Sequence, residues 1–139
     1  MSGELIRIGT IYIPVLDVEK SSSWYVEQLG AELSYKDEDK AILNFAGHSV
    51  FLVESQEGQS SNFYDSHGEE RFSLTFEVDG LHALKAIHSG FMDKKIRVGE
   101  IEDRGHAGKN FVFFDLDGNK FDVWSELSPQ YKELHKTVL

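Results

Sequence analysis

Asp122 is the side chain in this sequence with the clearest capacity for chemistry. It lies in the run Asn110–Glu126, which reads as a strand, a tight turn at Asp117-Gly118 and a second strand. Gly at the turn accepts the positive φ of a two-residue hairpin. Alternation along the second strand sets Phe121 and Val123 on one face and Asp122 and Trp124 on the other. A carboxylate beside an indole can serve as acid or base, hold a metal, or pair with a cation. His106 is the second catalytic candidate. It falls in the polar glycine loop 102–108, and an imidazole with an ordinary pKa of ~6.5 suits proton transfer. Ser73 has no predicted base beside it, so it reads as a strand hydroxyl bonded to a neighbour rather than a nucleophile. His48, His67 and His135 fall in turns, loops or the tail. His82 and His88, six residues apart on one helix, point to different faces and read as surface histidines.

The composition narrows the function classes. A chain of 139 residues with 40% hydrophobic and 12% aromatic side chains is one globular domain or two very small ones. With no cysteine, disulfides, thiolate metal sites and Cys nucleophiles are excluded. A net charge of −10 argues against nucleic acid, which needs a basic face, and favours cationic ligands through long-range steering. No apolar run approaches the ~20 residues of a membrane span, and Met1-Ser-Gly-Glu-Leu5 lacks the features of a secretory signal. A cytoplasmic protein without membrane contact is the expectation.

The elements that position Asp122 repeat along the chain. Leu5–Val15 is β-rich and Pro14 marks its end. Asp17 is an N-cap, Val18–Leu29 has helical spacing, and Gly30 is its stop. Glu32–Tyr35, Ala41–Phe45 and Val50–Glu54 are strands, with Gly47-His48 a turn between the last two. Residues 55–71, rich in Ser, Gly, Gln, Asn and Glu, form a connector. The second half then runs Phe72–Val78 strand, Asp79 N-cap, Leu81–Ser89 helix, Gly90 stop, Ile96–Ile101 strand, loop 102–108 and the hairpin. Residues 1–128 thus read as one domain of two βαβββ repeats, about 6–54 and 72–127, that share a core. The tail 129–139, with its stripe Tyr131, Leu134 and Val138, reads as a short helix that docks on the body or a partner subunit.

In each half, residues that alternate with the helix-facing apolar positions point the other way. These are Thr10 and Tyr12, Phe51 and Val53, Ser73 and Thr75, Asp122 and Trp124. That face mixes aromatic rings and hydroxyls, as a small-molecule pocket does. The candidate ligand-binding set is Thr10, Tyr12, Phe51, Ser73, Thr75, Val112, Phe114 and Trp124.

The strand–Asp–helix–Gly opening of each half resembles the vicinal oxygen chelate superfamily of glyoxalases, bleomycin resistance proteins and extradiol dioxygenases. The resemblance rests on Val15–Ser21, Trp24–Gly30 and Phe114–Asn119, and spans about Ile6 to Ser128. It implies an α+β fold in which two βαβββ modules pair into a cupped mixed sheet, commonly as a homodimer. It also implies metal-ligand positions, which fall here on Thr10, Phe51, Ser73 and Asp122. One carboxylate and two hydroxyls are a thin set for a divalent cation. No cofactor is therefore expected. Three functions stay open. One is a metal-free binding protein taking a small, possibly cationic aromatic molecule. Another is a lyase or isomerase, lactoylglutathione-lyase-like, using Asp122 with a weakly held divalent metal. The third is a non-catalytic interaction module. Asp122 itself could accept from Thr10 and Ser73, pair with a cationic ligand, or face water.

Overall fold

An aspartate, twelve helical residues and a glycine form the first helix as its sequence dictates. The structure, a computed structural model describing residues 3–135, has α1 at Val18–Leu29, with the Asp17 carboxylate accepting from the Lys20 amide at 3.0 Å. Gly30 closes it at φ 74°. Around α1 stand β1 (Thr10–Val15), β2 (Glu32–Lys36), β3 (Lys40–Phe45) and β4 (His48–Glu54). They form a sheet in the order β1-β4-β3-β2, with β1 and β4 parallel and the other pairs antiparallel. The chain divides into two units, and this βαβββ set belongs to the first, which ends at Ser60. Its core is Ile13, Val15, Val18, Tyr25, Leu43, Val50 and Leu52.

Two expectations for this unit are corrected. The first strand starts at Thr10, not Leu5. Leu5, Ile6 and Ile8 are 99%, 84% and 72% exposed, and the ladder to β4 begins only at Thr10 opposite Ser49. The β3–β4 turn is Ala46-Gly47 rather than Gly47-His48. Both turn residues take positive φ, 51° and 80°, and Phe45 pairs with His48. That is the primed turn whose twist suits a hairpin.

The second unit begins at Ser61. A hairpin of β5 (Phe63–Tyr64) and β6 (Glu70–Arg71) lies inside the segment expected to be a plain connector. Then come β7 (Thr75–Glu77), α2 (Leu81–Asp93), β8 (Asn110–Phe114), β9 (Lys120–Trp124) and α3 (Pro129–Leu134). The sheet order is β7-β9-β8, with β7 and β9 parallel and β8 antiparallel to β9. One face buries a ring cluster. Phe113 lies 5.3 Å from Phe121 and 5.0 Å from Phe91 of α2, and Phe76 lies 5.7 Å from Phe121.

Here too the residues correct the expectation. Helix α2 runs through Gly90 to Asp93, because Phe91 reaches Phe111 and Phe113. Burial of that ring offsets the ~1 kcal/mol that an interior Gly costs. The stop is Lys94-Lys95, with Lys95 at φ 62°. The N-cap is Gly80, not Asp79, and it makes no side-chain cap bond. The strand expected at Phe72–Val78 is three residues long. The one expected at Ile96–Ile101 is reduced to two bridges, Val98 opposite Phe113 and Glu102 opposite Asn110. Four steps on that segment match three on β8, the count of a one-residue bulge.

The turn between β8 and β9 spans Asp115–Asn119 instead of two residues. The Asp115 carboxylate gathers the amides of Asp117 and Asn119 and the Asn119 side chain, at 2.8, 2.9 and 2.8 Å. Gly118 does take the expected positive φ, 82°. Helix α3 buries no residue, Leu134 being 76% exposed. Val138 lies outside the described residues. Among the described residues no helix is long and apolar enough to cross a membrane.

Candidate functional site

Alternation sends Asp122 away from the ring cluster of the second unit, onto the face it shares with Thr75 and Val112, its cross-strand neighbours. Two positions along, Trp124 faces Asn110 in the same ladder. Asp122 is nonetheless only 2% exposed. A buried carboxylate needs partners to offset the loss of water, and side chains on the two neighbouring strands and the adjacent loop supply them. Thr75 donates its hydroxyl to Oδ2 at 3.1 Å, and Asn110 donates Nδ2 to the same oxygen at 2.9 Å. Oδ1 faces Nη2 of Arg104 at 3.1 Å, an ion-pair contact off the line of a hydrogen bond.

Arg104 comes from the loop after the bulge. Its Nη2 also donates to Glu102 Oε1 at 2.9 Å, and its guanidinium carbon lies 5.8 Å from the centre of the Phe72 ring. Burial opposes its charge, but Glu102 and Asp122 outweigh burial and hold its pKa above the ordinary arginine value. The bulge and the loop base are fixed by backbone pairing. The Glu102 and Asn110 amides bond each other's carbonyls at 2.7 and 3.1 Å. Trp124 Nε1 donates to the Ala107 carbonyl at 2.9 Å, and Ser125 Oγ accepts from the Lys109 amide at 2.8 Å.

Beside this cluster lies a groove of ≈ 510 Å³, lined by Glu69, Glu70, Arg71, Phe72, Gly99, Glu100, Glu102, Arg104, Val112 and Lys120. Lys120 Nζ donates to the Glu70 carbonyl at 2.7 Å, and Arg71 lies 3.7 Å from Asp65. The Asp65 carboxyl is held below its ordinary range, first by the Glu69 and His67 amides and then by Arg71.

Thr75, Val112, Asp122 and Trp124 thus share one face, as the alternation predicts. Val112 alone of the expected ligand-binding set lines the groove. Phe114 is capped by Arg97, whose guanidinium carbon stands 3.9 Å from the ring centre. Ser73 turns its hydroxyl to the Ser61 carbonyl at 3.2 Å, so the donors to Asp122 are Thr75 and Asn110 instead of Ser73 and Thr10. His106 packs its ring edge-on to Trp124 at 5.9 Å, with Nδ1 2.8 Å from the Ala107 carbonyl. The loop residue that meets Asp122 is Arg104. His88 is no plain surface histidine: Nε2 lies 2.8 Å from the Gly99 carbonyl and its ring 4.9 Å from Phe111. In the first unit, Thr10, Tyr12 and Phe51 lie on the sheet face away from α1, with the Tyr12 and Phe51 rings 5.1 Å apart.

The donor set does not fit a divalent metal. Of the four positions that the resemblance implies, Phe51 offers no ligand atom, Ser73 is engaged with a carbonyl, and Asp122 faces a guanidinium. Among the described residues no three His, Cys, Asp or Glu side chains converge as a metal site requires.

Two mixed-sheet units, the first a complete βαβββ set and the second carrying a carboxylate on its last strand before α3, define a class. Residues 7–123 match the Glyoxalase/Bleomycin resistance protein/Dioxygenase superfamily, and the chain belongs to it. Among solved structures, it is similar to a lactoylglutathione lyase from Agrobacterium tumefaciens. Identity is 17% over 85% of this chain and 92% of that one, with a TM-score of 0.67. It is also similar to the fosfomycin resistance protein FosX from Listeria monocytogenes, with 14% identity, 89% and 96% coverage and a TM-score of 0.73. A glyoxalase/bleomycin resistance protein/dioxygenase from Alicyclobacillus acidocaldarius gives 15%, 89%, 94% and 0.66. Identities this low establish the fold alone. No curated protein matches the sequence.

Proposed function

We propose that this protein binds a small, flat, cation-bearing organic molecule in the groove beside Asp122, without a tightly held metal. The observation that carries the reading is the position of Arg104, a planar cation lodged between Glu102 and Asp122 beside the Phe72 ring. Its presence supplies the positive charge that a buried carboxylate requires. The groove remains acidic around it. Glu69, Glu70, Glu100 and Glu102, with Asp122 beneath, oppose Arg71, Arg104 and Lys120. A carboxylate rim around an aromatic ring favours a ligand whose cation can lie over that ring. A homodimer is part of the same proposal.

Isothermal titration with bleomycin-type and other cationic aromatic compounds tests the reading, with anionic analogues of similar size as controls. Binding of the cationic compounds is expected, weakened in Phe72→Ala, and the stoichiometry set against the light-scattering mass gives ligands per dimer. Silence across the cationic panel, or a preference for the anionic analogues, sinks the proposal. Turnover of the hemithioacetal of methylglyoxal and glutathione with added divalent metal would instead support the enzyme reading of Asp122.

A further inference from the structure

Arg104 makes only part of the contacts its surroundings offer. One nitrogen, Nη2, is shared between Glu102 Oε1 and Asp122 Oδ1 at 2.9 and 3.1 Å, and the other guanidinium nitrogens have no acceptor among the described residues. The surroundings are equally incomplete. Asn110 Oδ1 is a buried acceptor without a hydrogen bond, and the buried Asp122 Oδ1 is met by a single guanidinium nitrogen where a carboxylate can take two, on side chains 3% and 2% exposed. These two side chains are bonded to each other through Asn110 Nδ2 and Asp122 Oδ2 at 2.9 Å. Unmade bonds at buried acceptors are costly, and native structures carry few of them. A site with surplus acceptors and a guanidinium with surplus donors, in contact yet poorly matched, indicates a poor occupant rather than a finished ion pair.

We propose that Arg104 is an internal placeholder, occupying a site that takes the amidinium or guanidinium group of an aromatic ligand. This rests on the reading that the groove beside Asp122 takes a flat cation. A free ligand is not bound to the loop backbone and can present its N–C–N fork squarely to Asp122 while its ring lies against Phe72. Arg104 has somewhere to go. Its side chain is 27% exposed, and Glu102, two residues away, can keep hold of it as it turns outward. The loop need not unfold, because Ala107 stays bonded to Trp124 and Lys109 to Ser125. Exchange of one planar cation for another leaves Asp122 paired in both the free and the bound protein, so its burial cost does not enter the difference between them. The competition multiplies the intrinsic affinity by the fraction of molecules in which Arg104 has vacated the site.

Calorimetry on the full chain with benzamidine and phenylguanidine tests this, with uncharged benzamide as control. Arg104→Gln and Arg104→Ala should bind benzamidine about 10- to 100-fold more tightly than the unmodified protein. Arg104→Ala/Asp122→Asn, which buries no unpaired charge, should fold and lose that gain. If Arg104→Ala is too unstable for calorimetry, its melting temperature should rise with benzamidine and not with benzamide, and absence of that rise counts against the proposal. Equal or weaker binding by Arg104→Gln overturns the placeholder while leaving the groove reading intact. No binding by any of these chains overturns both.

Discussion

Replacing Asp122 by alanine tests the network that organises the second unit. The carboxylate is 2% exposed and accepts from Thr75 and Asn110 while facing Arg104. Its loss strands the buried Asn110 amide, at a cost of about 1–3 kcal/mol, while the exposed Thr75 hydroxyl can turn to water. The Arg104 side chain, 27% exposed, retains Glu102 and can turn to water, so its share of the loss is small. Together these give a cost of about 1–3 kcal/mol, most of it at Asn110. Asp122→Asn keeps an oxygen for Thr75 and Asn110 but turns an amide toward Arg104, and should cost roughly half as much. Urea unfolding followed by tryptophan fluorescence reads the effect. Trp24 lies in the first unit and Trp124 beside the site, so a Trp24→Phe background isolates the second unit. With a denaturant slope of about 2 kcal/mol per molar, the Asp122→Ala midpoint should fall by about 0.5–1.5 M at constant slope. A loss below about 1 kcal/mol, or equal losses in both variants, would refute the assignment of Asp122 as the shared acceptor.

Two further outcomes follow from local geometry. Gly108 has φ +74°, and a Cβ there would lie 2.6 Å from Ser125 Oγ and 2.9 Å from Trp124 Nε1. Gly108→Ala should therefore displace the loop, break the Trp124–Ala107 bond and red-shift Trp124 emission in the same Trp24→Phe background; an unchanged spectrum would contradict that packing. At the β2–β3 turn, the Asp37 carboxyl is held well below its ordinary range, first by the Asp39 amide and then by Tyr35 and Lys40. The turn's contribution is thus fully present above the unfolded aspartate pKa of ~3.9 and fades as pH falls through the lower folded value. Carbon NMR titration of Asp37 should place its midpoint below that of free aspartate, and a midpoint at or above it would refute the turn network.

Local signals were legible where a single residue type decides a conformation. Asp17 and Gly30 bound α1 as read, since a carboxylate cap and a left-handed stop act within one turn of chain. Gly90 misled because Phe91, one residue on, gains more from the ring cluster than the glycine loses. The alternation that set Asp122 on the face away from Phe121 and Val123 matches the strand register. Which loop residue meets Asp122 did not follow from spacing. His106 is the imidazole of that loop, while Arg104 carries the fixed charge that a buried carboxylate needs. The requirement that such a carboxylate find a cation was the available signal, and Arg104 lies in the loop already singled out. Asn110 was hidden more deeply, because its role depends on strand register.

That register has a consequence for the groove. Had the segment from Val98 continued in step along β8, Ile101 would stand opposite Asn110 and Glu102 would fall one place beyond. Residues opposite each other in an antiparallel ladder share a face, and a shift of one exchanges the faces. The bulge thus brings a carboxylate to the Asn110 side where regular pairing would bring an isoleucine. The charge at that end of the groove is set by parity, an odd residue in a strand, and an insertion or deletion before Glu102 could change it without altering any residue now lining the groove.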